Sequence, residues 1–113
     1  MLGLNYKQLA KYYIQGLTVD ETMIVFNIQI GEEYCNNSEK IRDRRKIIYF
    51  YNVVGEIEEY HSKEHKTGRE ARTDIKYISK AVAKRLKVNS LSILKIMIAL
   101  EAMGWKPRQP GTV

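Results

Sequence analysis

From residue 74 to residue 105 the chain places apolar side chains at one helical spacing, broken once and at a defined place. Ile75, Ile78, Val82 and Leu86 recur every three or four residues, the repeat of a single helix face. Asn89 and Ser90 then interrupt the pattern, and both are residue types that cap a helix amino end. Thr73 or Asp74 can cap the first of the two helices, and Gly104 can close the second. Neither apolar stripe is stable in water alone, so two helices separated by so short a break are expected to pack together. The constraint predicts a mainly α fold: a helical domain ending in a two-helix unit over 74–105.

The rest of the chain reads as helix with one ambiguity. Asn5 can cap a helix over residues 5–15 in which Tyr6, Leu9, Ala10 and Tyr13 share a face, and Gly16 stops it. Thr18 and Glu21 have the spacing of a capping box, which starts a second helix near Val19. Residues 24–30 and 47–54 alternate at the period of a strand and are rich in β-branched and aromatic side chains. Yet Ile47, Phe50, Val54, Ile57 and His61 also trace a helical stripe. Helices are the preferred reading; the alternative is an α+β fold with a hairpin formed by residues 22–31 and 46–57. The polar stretch EEYHSKEHKTGREART, residues 58–73, reads as a helix end plus connector broken at Gly68, and the tail KPRQPGTV as frayed.

At 113 residues the chain has the size of a single domain, 1–113, with residues 1–60 as a helical scaffold or dimerisation part. A hydrophobic fraction of 44% with 28% charged residues is that of a folded globule and not of a disordered tail. The charge-free runs fall far short of the roughly 20 apolar residues that a membrane span needs, and the amino end lacks a signal-peptide pattern. Cys35 is the single cysteine, which excludes an internal disulfide, suits a reducing cytoplasm and makes the Asn36-Asn37-Ser38 glycosylation pattern a chance match. Residues 1–56 hold 7 basic and 7 acidic side chains, whereas residues 57–113 hold 12 and 6, so the net charge of +6 belongs to the second half. A positive field confined to one region points to a polyanionic partner.

The stretch ISKAVAKRLKVNSLSILKIMIALEAMGW resembles helix-turn-helix proteins, and within them the winged-helix branch. The similarity rests on a small residue at the helix crossing (Ala83), Leu86 three positions on, Val88 in the turn, a cap at Asn89 or Ser90, and Ile93, Met97 and Leu100 facing back. The resemblance implies a second helix that enters the major groove of double-stranded DNA, with Asn89, Ser90, Ser92 and Lys95 as base contacts. It implies phosphate contacts from Lys76, Lys80, Lys84 and Lys87, which follow at helical spacing, and from Arg85 beside them. Three features depart from the pattern: the chain offers too little sequence after Trp105 for a full wing, Lys87 stands where glycine is usual, and Leu91, Leu94 and Ile98 point outward. Outward leucines suit an interface, either in a homodimer or with a host protein.

A second stretch, YYIQGLTVDETMIVFNIQI, resembles the helix-turn-helix opening of small phage terminase subunits and resolvase-like proteins at Gly16, Thr18, Glu21 and Ile28. Met23 stands where that pattern has a small residue, and Glu32 and Glu33 would repel phosphate. This part is therefore expected to be scaffold.

His61, Glu64 and His65 match the H-x-x-E-H spacing of inverted zinc proteases. The segment is a lysine-flanked polar run without a third ligand, so neither metal nor catalysis is expected and no cofactor is implied. Tyr49, Phe50 and Tyr51 would form a base-stacking platform only on an exposed strand, and otherwise belong to the core. The resulting expectation is a small DNA-binding regulator of transcription or replication, of phage or plasmid type. The competing expectation is a module that docks on a host DNA-handling or defence protein.

Overall fold

The computed structural model describes residues 4–26, 38–66 and 74–105, and the side chains of these except 38, 39 and 63–66. Among them are five helices and no strand: α1 (Tyr6–Ile14), α2 (Val19–Val25), α3 (Ser38–Lys66), α4 (Ile75–Leu86) and α5 (Ser90–Ala102). The mainly α expectation holds.

The amino ends of four helices are set by local chemistry. Asn5 accepts from the Gln8 amide at 2.9 Å while the Gln8 side chain accepts from the Asn5 amide at 3.1 Å. Thr18 and Glu21 exchange the same pair of bonds at 3.1 and 3.0 Å. Asp74 and Asn89 cap α4 and α5 by accepting from the amides of Lys76 and Leu91. Each of these bonds satisfies an amide that a helix leaves without an internal partner.

Residues 46–57 lie inside α3, so the alternative hairpin with residues 22–31 does not form; Val19–Val25 is helical and 27–31 fall outside the described residues. The side chains that could serve either period face the interior at helical spacing: Ile47, Phe50, Val54, Ile57 and His61 are all buried. Burial on one stripe decided between the two patterns. The stretch 58–73, read as a helix end plus connector, begins as helix, because α3 continues to Lys66. Glu58, Glu59 and Ser62 stay solvated on its outer sides, Tyr60 packs partly against the core, and the buried stripe runs on through His61.

Helix α5 occupies the centre of the bundle, packing against α1, α3 and α4, while α2 packs on α3. Its Ile93, Ile96, Met97 and Leu100 are fully buried. Each such side chain contributes about 1.5–3 kcal/mol relative to exposure, so α5 holds the other helices in place. Ser79 and Ala83 of α4 are buried as well. Small side chains there let the two backbones approach.

Candidate nucleic-acid interface

Helix α4 divides into two faces. Ile78, Ser79, Val82 and Ala83 turn inward, and Lys76, Lys80 and Lys84 stand exposed on the other side, successive members four residues apart. Lys87 follows in the three-residue connection to α5 and is exposed too. None of these lysines makes an ion pair among the described residues. Arg85 departs from this ridge. It projects from α4 toward α3, where its guanidinium lies 3.6 Å from Glu56 and 3.9 Å from Glu59. These carboxylates partly neutralise it and orient it away from the ridge, so it serves as a strut between helices.

The connection itself carries a strained residue. Three helices end in the same way, with the amide of a residue two or three past the helix reaching back five positions: Leu17 to the Tyr12 carbonyl, Val88 to Ala83 and Trp105 to Leu100. That closure needs a left-handed residue just before it. Gly16 (φ +89°) and Gly104 (φ +98°) supply it at no steric cost, but at the end of α4 the position belongs to Lys87, with φ 57°. A side chain in this region costs on the order of 1 kcal/mol. Lysine stands where glycine would be cheaper, as the sequence indicated.

The residues expected to read bases do not share one open face. The Asn89 side-chain oxygen accepts from the Leu91 amide, and Ser90 is half-buried. The Ser92 hydroxyl meets the Tyr49 hydroxyl of α3 in a hydrogen bond and so points toward the scaffold. Lys95 remains exposed, next to Leu91 at 61% and Ile98 at 50% exposure, while Leu94 is half-buried. The outer stripe of α5 is thus apolar with one cation at its middle.

Two partnerships were not visible in the sequence because the partners are far apart along it. Ser92 and Tyr49 are 43 positions apart, and no local pattern marks either. Arg85 with Glu56 and Glu59 is a similar case. The cationic run KIRDRRK at 40–46 was visible and overlooked: Arg42 and Arg45 in it are exposed.

The remaining candidates fall into the core or outside the description. His61 is buried, the side chains of Glu64 and His65 lie outside the described residues, and no group of three potential metal ligands occurs among those described. The stacking platform is lost with the strand: Phe50 is fully buried, and the Tyr51 hydroxyl bonds the Leu17 carbonyl at 2.9 Å and Thr22 at 2.8 Å. In the second resembling stretch Met23 is buried, while Ile28, Glu32, Glu33 and Cys35 lie outside the described residues. No described helix is long and apolar enough to cross a membrane. Comparison with protein families, with curated proteins and with solved structures finds no match for this chain.

Proposed function

We propose that this protein binds duplex DNA through α4, the connection and the outer side of α5, as a cytoplasmic regulator without catalytic activity. One observation carries the reading: Lys76, Lys80, Lys84, Lys87 and Lys95 are exposed and unpaired among the described residues, whereas the arginine of the same unit is held by carboxylates. A ridge of unpaired lysines repels itself, and a polyanion relieves that repulsion while releasing its own counterions. The three-residue connection has the length that helix-turn-helix units use. Base readout is narrower than the sequence suggested, because the side chains of Asn89 and Ser92 already have partners. Lys95 is the cation left to reach a base edge, and Leu91 and Ile98 can contact thymine methyl groups.

Titration of a labelled duplex tests the reading. Lys80→Ala with Lys84→Ala should weaken binding to every sequence alike and lower the slope of log K against log salt by roughly 1.8, about 0.9 for each phosphate contact. Lys95→Ala should cost on the order of 1–3 kcal/mol on the preferred site and relax the choice of base. Wild-type protein that leaves duplex unbound at low salt removes the proposal.

The exposure of Leu91 and Ile98 favours a second reading, in which a second copy of the chain covers the outer stripe of α5. Sedimentation separates the two. Leu91→Glu should shift a dimer toward monomer, and an unchanged monomeric mass for both proteins leaves that face to DNA.

A further inference from the structure

The segment KIRDRRK at 40–46 of α3 carries five cations against a single carboxylate. The fold uses some of them internally. The Lys46 ammonium donates to the Leu4 carbonyl at 2.9 Å and stands 4.9 Å from the centre of the Tyr6 ring, and Arg44 is half-buried and engaged. Arg42 and Arg45 are exposed and make no ion pair among the described residues.

Their position follows from two contacts between α3 and α5. The Tyr49 hydroxyl of α3 meets Ser92 in the first turn of α5, and Trp105, just past the other end of α5, donates its indole N–H to Glu58 at 3.5 Å. The two helices therefore run in the same direction, with their amino ends at one end of the molecule. Arg42, Arg45 and Tyr49 are spaced at i, i+3 and i+7, so they lie on one side of α3. At 1.5 Å per residue, Arg45 and Arg42 stand about 6 and about 10.5 Å beyond Tyr49 along the helix. They lie beyond the amino end of α5 on the α3 side, while the lysine ridge and Lys87 belong to α4 and its connection, α4 packing on both α3 and α5.

We propose that Arg42 and Arg45 grip the phosphates of the second DNA strand, on the far wall of the groove from the α4 lysines. This rests on the reading of α4 and α5 as the duplex-binding unit. A helix end that enters a major groove about 12 Å wide has a phosphate row on each side of it. Cations on α4 alone would hold one row; arginines on α3 supply the other. Arginine suits that task because its planar fork binds phosphate oxygens in pairs. The arrangement fits a grooved double strand and gives a single strand no comparable fit.

The test uses the full chain, a labelled random duplex of about three helical turns and a salt series. Arg42→Ala with Arg45→Ala should lower the salt slope by about 1.8, from two lost phosphate contacts. The effect should add to that of the Lys80/Lys84 pair, because the two sets touch different phosphates. Arg42→Gln with Arg45→Gln repeats the measurement with good helix formers, and circular dichroism checks that each variant is folded. An unchanged slope in both arginine variants, with the lysine pair still flattening it, overturns this inference and leaves the proposed function standing. An equal loss on a single strand of the same length overturns the two-wall geometry, and absence of duplex binding by the wild type overturns both.

Discussion

The scaffold α1–α3 and the pair α4–α5 use their polar side chains in opposite ways. In the scaffold they point at one another: two reciprocal capping boxes, Tyr51 bonded to Leu17 and Thr22, Lys46 on Leu4 and Tyr6. Its rings add edge contacts, Tyr13 with Tyr51 and Phe50 with Tyr51. In α4 and α5 the caps are single bonds and the lysines face solvent. A polar group satisfied inside the chain specifies the fold, whereas one left outward is available to a partner. The basic amino end of α3, with Arg42 and Arg45 exposed, is a place where the scaffold behaves like the pair.

The contrast concerns surfaces and not cores, because α5 packs on both regions. Phe50→Ala provides the strongest test of this. Phe50 is fully buried in α3 and stacks near Tyr6 and Tyr51, so its truncation should cost about 3–5 kcal/mol. Urea unfolding followed by tyrosine fluorescence and by helicity should lose stability in one shared transition. If helicity outlasts the tyrosine signal, the two regions fold separately and the bundle is not one cooperative unit.

Alkaline pH sharpens the comparison next, because the perturbed tyrosines described all belong to the scaffold. Burial, with a hydrogen bond to Glu58 behind it, raises Tyr13 well above its ordinary value of 10.0. Burial also raises Tyr6 and Tyr51, against the lowering effect of the Thr22 hydrogen bond on the latter. Above pH 10 the unfolded chain releases these protons and the folded chain keeps them, so the unfolded state binds fewer protons and stability falls as pH rises. The stabilisation is fully present below about pH 10 and is lost toward the raised values. Tyrosinate absorbance should therefore rise together with unfolding, and Tyr13→Phe should soften the pH dependence. Titration of Tyr6, Tyr13 and Tyr51 near pH 10 with the helices intact would contradict the closed network.

Legibility in the sequence follows the same division between local and distant chemistry. Caps at Asn5, Thr18, Asp74 and Asn89 were readable because donor and acceptor lie within three residues. The lysine ridge was readable because it needs only the helical repeat. Residues 46–57 could not be decided locally: β-branched and aromatic side chains fit either period, and the choice came from what α3 buries against α1 and α5. Arg85 and Ser92 look like open polar groups in any local reading, and only the path of α3 beside them shows otherwise.

The smallest effect tests the one residue in α4–α5 whose backbone carries a cost. Glycine at position 87 would relieve left-handed strain of roughly 1 kcal/mol, as glycine does at 16 and 104. The same change frees the unfolded chain, which takes back about 0.4–1 kcal/mol. Lys87→Gly should therefore move the urea midpoint by little in either direction, a net change within about 0.5 kcal/mol. Binding should respond more than stability does. With one phosphate contact gone, the salt slope on duplex DNA should fall by about 0.9. A stabilised protein with an unaltered slope would make Lys87 a turn residue and nothing more, and the cationic ridge would then end at Lys84.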